Sequence, residues 1–331
     1  PNMSLDPDLF GISICAMVRD FYLLQRPRGR VITRCSRFVT TFMLLFLCLF
    51  IQIFLLSQVK RFVSAKAVHD IRIAYDTFEQ HMYGGHTLVL TTEPHLERRG
   101  ILGATGPYFN ASAFSSLSAK DQAAACDIPL SQPFFFGAVL YTWTLVCAVE
   151  LRKCYDLFES LVVNTRTCLT MADALQDEEE GETGKFIVAS LTRGMKLAIT
   201  LMVILPRLGI TLYLIWIGCR WLLATTNFSE LILNSVALEF ILCLKDVLYL
   251  GMVPRRSMID LNNMHIMPAQ KSEPESLQVL TGTVSCAFVA AVWVLVYMGC
   301  PWHNGLQQVL RDYQWDVHDA CSSWVAVQYA V

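Results

Sequence analysis

The sequence predicts an all-α, polytopic helical membrane protein with about five transmembrane helices. Three observations carry this reading. The 331 residues are 54% hydrophobic and only 16% charged, whereas a soluble chain carries about a quarter charged residues. The apolar residues come in long blocks, which is the pattern of membrane spans. Lys and Arg number six, six and three on the inner segments, against none on the short outer loop 224–228 and one on the outer tail; the seven of the outer loop 60–132 fall in a loop long enough to escape the positive-inside rule. A net charge of −2 provides no basic field, so nucleic acid is excluded as a partner. The partners expected are the lipid bilayer and other membrane-protein subunits.

Residues 1–37 form a cytoplasmic segment. Within it "PDLFGISICAMVRDFYLLQ" (7–25) has the spacing of a short amphipathic helix at the inner membrane surface, and the basic turn "RPRGR" follows. The first span is 38–59, about 22 uncharged residues, enough to cross a core of ~30 Å at ~1.5 Å per residue. Arg19, Arg26, Arg28, Arg30, Arg34 and Arg37 precede it and mark the N-terminal side as cytoplasmic. The run is too long, and too far from the start, for a cleaved signal peptide.

Residues 60–132 are non-cytoplasmic. Helical periodicity over 60–82 extends the first span outward, and the Gly-, Pro-, Ser- and Thr-rich stretch 84–132 reads as an ordered loop region or small cap. The second span, 133–151, starts with an aromatic cluster and ends at Glu150, Arg152 and Lys153. Residues 152–195 are cytoplasmic, an amphipathic helix followed by the acidic turn "QDEEEGETG". The third span is 196–223, with Trp216, Arg220 and Trp221 as an interfacial belt.

Residues 229–250 have the length of a fourth span but carry Asn234, Glu239, Lys245 and Asp246. On a helix, Glu239 and Asp246 share one face, with Asn234 and Lys245 about 120° away. Narrow polar stripes on a wide apolar surface favour a span over a surface-bound helix; a re-entrant helix is the alternative. A cytoplasmic loop, 251–278, leads to the fifth span, 279–300, where Gly282, Cys286 and Ala290 make a small-residue stripe suited to close helix packing. The tail 301–331 is then non-cytoplasmic. The N-terminus is inside and the C-terminus outside.

Few motifs carry chemistry. "GETGK" (181–185) lacks the spacing, the following Ser or Thr, and the preceding strand of a phosphate-binding loop. His81, His86 and His95, with Glu79, Glu93 and Glu97, match no zinc spacing, and "DVHDAC" (316–321) reads as polar tail. No metal, cofactor or catalytic constellation is expected. A Cys300–Cys321 bridge is the expected disulfide if the outer compartment is oxidising. Asn110, in "NAS", is the better glycosylation acceptor of two on that side.

The strongest signal is charge inside the bilayer. Arg207 lies mid-span beside Pro206, which frees the Met202 carbonyl and is expected to kink the helix. Counted from the outer end, Arg207 and Asp246 are each about 16–17 residues deep, roughly 24 Å. A short loop makes their helices antiparallel neighbours, so Arg207 is expected to pair with Asp246 or Glu239.

The stretch "ILNSVALEFILCLKDVLYLGMVPRR" resembles a segment found in multi-span membrane proteins of dinoflagellate algae. The matching positions are Asn234, Ala237, Leu238, Phe240, Asp246, Pro254 and Arg255. Where that family has an acidic pair, this chain has Lys245-Asp246. The resemblance spans about 30 residues, and it implies a membrane protein with no stated activity.

Together these readings predict a non-enzymatic ion-pathway or transport-type protein that uses Arg207, Glu239 and Asp246, with Lys245 and Asn234 in the same network. The alternative is an accessory or scaffold subunit of a larger membrane complex, with those charges as packing elements.

Overall fold

The computed structural model describes residues 3–24, 31–83, 88–91, 99–102, 109–170, 175–177, 186–266, 275–299, 305–310, 313 and 315–328. Helices dominate. They are α1 (Leu9–Cys15), α2 (Val31–Gln58), α3 (Ala65–Met82), α4 (Ala119–Cys126), α5 (Pro133–Phe158), α6 (Arg193–Ile199), α7 (Leu205–Leu223), α8 (Phe228–Met252), α9 (Arg255–Asn262), α10 (Glu275–Gly299) and α11 (Asp316–Gln328). The strands are short, two to four residues each.

Among the described residues four helices are long and apolar enough to cross a membrane: Val31–Met82, Pro133–Asn164, Arg193–Leu223 and Thr281–Gly299. The first comprises α2 and α3 joined through a π-turn at Val59–Ser64, and the third comprises α6 and α7 joined through a π-turn at Thr200–Ile204. The stretch expected as a fourth span is α8, 25 residues of continuous helix, but it is not one of these four. Its Glu239, Lys245 and Asp246 keep it out of that apolar set. The π-turn at Thr200–Ile204 ends two residues before Pro206. A proline has no N–H to give the carbonyl four residues back, and a wider local hydrogen-bond register is one way a helix absorbs that loss.

The chain divides into two compact units. The first holds residues 1–56, 147–213 and 240–284. Here the structure corrects the surface-helix expectation for residues 7–25. Every residue from Leu9 to Asp20 is buried, so this segment packs into protein. α1 lies against α9 and the Thr200–Ile204 turn. Asp260 on α9 clamps the segment by pairing with Arg19 at 2.5 Å and also with Arg37, while Arg34 donates to the Leu23 carbonyl at 2.7 Å. Arginines expected to mark a cytoplasmic flank thus act as internal staples. Burial pushes the Asp20 carboxyl upward, opposed chiefly by Arg37 and then Arg19. A small mixed sheet, in the order Met3–Ser4, Met264–Ile266, Phe186–Val188, Leu175–Asp177, completes the unit with a parallel pair, Arg166–Cys168 and Ser190–Thr192.

The second unit holds residues 57–146, 214–239 and 285–331. α3 buries Val68, Ile71, Tyr75, Phe78 and Met82, an apolar stripe at helical spacing. α4 packs against it, and α11 packs against α4 and the turn Pro129–Ser131. Residues 109–132, read as ordered loop or small cap, and the described part of the tail, read as polar, thus pack together as a folded cap. Asp316, at the head of α11, accepts hydrogen bonds from the Tyr83 hydroxyl at 2.8 Å and the Tyr75 hydroxyl at 3.3 Å. Arg72 donates to the carbonyls of Val309 and Gln308, and His318 Nδ1 meets the Ser131 carbonyl at 2.7 Å.

The disulfide expectation is overturned. Cys321 is bonded to Cys126, with Cα atoms 5.3 Å apart, so no Cys300–Cys321 bridge forms; Cys300 itself lies outside the described residues. The reason is tertiary: α11 folds back on α4 and presents Cys321 to the end of that helix. His86, His95, Glu93, Glu97 and "GETGK" also lie outside the described residues. Among the described residues no group of three metal-ligand side chains gathers, and His81 instead meets the Ser116 hydroxyl at 2.8 Å.

Candidate functional site: a buried charge cluster

The site belongs to the first unit and is assembled from three helices and the N-terminal segment. Locally, "DPDLFG" builds a helix start. Asp8 is the N-cap of α1, its Oδ1 accepting the Gly11 N–H at 2.7 Å. Gly11 is required because the Asp6 carbonyl lies where a Cβ would stand. The turn holds Asp6 and Asp8 toward α5, α7 and α8.

Arg207, 3% exposed, is the centre of the cluster. Its Nε and Nη2 both donate to Glu150 Oε1, at 2.9 and 2.5 Å. Nη2 also lies 3.3 Å from Asp8 and 3.6 Å from Asp6, and the guanidinium carbon sits 5.1 Å above the Phe10 ring. Lys245, 5% exposed, reaches Glu150 at 3.3 Å, Asp8 at 3.8 Å and Asp246 at 3.3 Å. The four most buried charges, Arg207 and Lys245 against Glu150 and Asp8, sum to zero. A charge taken out of water needs this compensation, because desolvating an ion costs several kcal/mol before any attraction is counted. Burial pushes the Asp8 carboxyl above its usual range, while Arg207 and Lys245 pull against that shift.

Beside the cluster is a cavity of about 10 Å³, lined by Gln52, Thr211, Ile210 and Leu242 together with the charged groups. It has room for roughly one water molecule. Gln52 is 2% exposed and donates to the Ile241 carbonyl at 2.9 Å, but its Oε1 has no partner among the described residues. Such a water would have that oxygen to donate to.

The expected Arg207–Asp246 pair is corrected to Arg207–Glu150. Two geometric facts explain it. α5 continues well past its apolar run, through Phe158 and a π-turn to Asn164. Glu150 is therefore about 14 residues from that end, and Arg207 is about 14 residues from the start of α6 at Arg193, roughly 21 Å each way. The two side chains stand level. On α8, Lys245 and Asp246 are about 100° apart; the former points inward and the latter remains 44% exposed.

The other predicted positions fall elsewhere. Glu239 is exposed and belongs to the second unit, so it is not part of the cluster. Asn234, in that same unit, donates from its amide to the Thr225 hydroxyl at 2.9 Å and so ties the turn between α7 and α8. Of the small-residue stripe on α10, Ala290 is buried, Cys286 is half-buried, and a Cβ at Gly282 would collide with the Arg152 guanidinium. Asn110 is exposed and caps a short helical turn, accepting from the Ser112 N–H at 3.2 Å. Sequence reasoning missed Glu150, Asp8 and Gln52. The available signal for Glu150 was the amphipathic helix expected after Arg152, which carries α5 beyond its apolar block as far as Asn164, where the strand Arg166–Cys168 takes over.

No protein-family model, curated protein or solved structure matches the chain.

Proposed function

We propose that this chain is a non-enzymatic, multi-pass membrane protein that serves as a structural subunit of a larger membrane assembly. The observation that carries the reading is the cluster around Arg207. Its four buried charges balance, and the cavity beside it has room for about one water. A conducting path needs hydrated or exchangeable sites along a passage, whereas these charges are locked on one another across α5, α7, α8 and the N-terminal segment. Their role is a clasp that fixes helix packing and anchors residues 3–24.

The topology in this proposal keeps the N-terminus cytoplasmic and the C-terminus on the opposite side. The Cys126–Cys321 bridge supports it, since disulfides persist in oxidising compartments. Four cysteines of the first unit, Cys15, Cys48, Cys147 and Cys154, are buried and form no disulfide.

The ion-pathway reading keeps one specific support: two cations and an unsatisfied Gln52 oxygen line the same cavity. One pair of measurements separates the two readings. Particles extracted in mild detergent are sized against the single chain, and purified chain in vesicles is assayed for passive proton, potassium and chloride flux. The proposal expects a particle larger than one chain and vesicles no leakier than empty ones. A monodisperse single chain that conducts would sink it.

A further inference from the structure

The second unit contains an open groove of about 250 Å³ between α5 and α8. One wall presents Ala138, Thr142 and Val146, spaced by four on α5; the other presents Ile232, Ser235 and Glu239 on α8. The two hydroxyls are satisfied within their own helices, Thr142 on the Ala138 carbonyl at 2.9 Å and Ser235 on the Ile232 carbonyl at 2.7 Å. Glu239 is different. It is exposed into the groove and has no ion-pair or hydrogen-bond partner among the described residues. Small and hydroxylated residues at a four-residue spacing are the surface that lets a second helix approach closely. An unpaired carboxylate at membrane depth calls for a cation.

We propose that this groove docks a transmembrane helix of another protein, one that brings a Lys or Arg to Glu239. Depth decides against a lipid headgroup. Glu239 lies about 11 residues from Phe228 and about 13 from Met252, roughly 17 and 20 Å along the helix. It sits near the middle of a ~30 Å core, whereas headgroup ammonium stays at the surface. A second copy of this chain is also excluded as the occupant, because Arg207 and Lys245 are buried and already paired. A drug-sized ligand needs a pocket of ~300–1,000 Å³ that closes around it, which this groove does not provide. A helix with small residues facing Ala138 and Thr142, and one basic side chain near its centre, satisfies shape and charge together.

This inference rests on the subunit reading and names the chemistry of the partner. It is tested with the full chain in phosphatidylcholine vesicles, a photocrosslinking residue at Ser235, and synthetic Leu/Ala transmembrane peptides carrying Lys, Leu or Glu at the centre. The Lys peptide is expected to crosslink on the order of tenfold more than the Leu peptide. Glu239→Gln should bring it down to the Leu level, Glu239→Asp should keep the preference, and Glu239→Lys should transfer it to the Glu peptide. Equal labelling by Lys and Leu peptides, or a Lys preference that survives Glu239→Gln, overturns the proposal. So does capture of a photoreactive long-chain amine in place of the Lys peptide. The particle-size measurement fails independently: a large native particle with a groove indifferent to Lys refutes the docking site alone, and a single-chain particle whose groove selects Lys refutes the subunit reading alone.

Discussion

Arg207→Met removes the centre of the cluster and leaves Glu150 and Asp8 buried with Lys245 as their shared cation, Lys153 reaching Glu150 alone at 3.7 Å. Three carboxylates lie within 3.6 Å of the guanidinium, and the Glu150 contact at 2.5 Å involves two side chains that are 3% and 9% exposed. Removing one partner of such a buried pair costs about 3–5 kcal/mol. At roughly 2–4 °C per kcal/mol, a figure for somewhat shorter chains, this lowers the melting temperature in mild detergent by on the order of 6–20 °C. The assay follows from the fold: Cys15, Cys48, Cys147, Cys154 and Cys219 are buried and outside any disulfide, so a thiol-reactive dye reports unfolding as they become accessible. The second mutation distinguishes partners. Adding Glu150→Met leaves Lys245 and Asp8, a neutral pair, and should recover about 1–3 kcal/mol through the coupling. Adding Asp246→Leu should recover nothing, since that carboxylate is half-exposed and touches Lys245 alone among the cluster's cations. An Arg207→Met protein that melts like the wild type, or rescue by Asp246→Leu but not by Glu150→Met, would refute the clasp.

Three further outcomes follow from the second unit. Cys126→Ser should destabilise the cap by about 2–4 kcal/mol through loss of a long-range cross-link, seen as earlier melting and as loss of the mobility shift on reduction; Cys300→Ser should change neither. Burial raises the Asp316 carboxyl above its ordinary value of 3.8, against hydrogen bonds from Tyr83 and Tyr75 that lower it. The folded state therefore holds a proton that the unfolded chain releases, so the stability of the cap should fall as pH rises from about 4 through that raised value. Amide exchange of α3 and α11 across that range should show the fall, and Asp316→Asn should flatten it. Gly218→Val places a Cβ within 2.5–2.9 Å of the Trp143 indole, which is 2% exposed and has little room to move. Overpacking of this kind costs about 1–3 kcal/mol, measured by the same thiol-dye melt, and Gly218→Ala should cost less than Gly218→Val.

The helices were legible because each rests on a local property. An uncharged block of about 22 residues has few alternatives to a helix once its backbone leaves water, and α2, α5, α7 and α10 lie on the blocks that predicted them. α8 was legible for the same reason despite its charges. The buried state of residues 9–20 was not. An amphipathic pattern says only that one face seeks an apolar surface, and lipid and protein look alike to it. Partner choice at Arg207 was illegible for a related reason. Depth counted from one end of a block goes wrong when the helix outruns the block, as α5 does by continuing to Asn164.

The sequence alone determined that the chain is helical and apolar enough for a membrane, that Arg207 and Lys245 need anions, and that Glu239 is costly where it stands. Those are statements about single residues and their immediate neighbours along a helix. Only the tertiary structure decided that Glu150 and Asp8 answer Arg207, that Cys321 bonds Cys126, and that Glu239 opens onto a groove with no partner among the described residues. Each of these depends on the rotation and relative height of helices far apart in the chain. Packing sets both, and no local pattern records them.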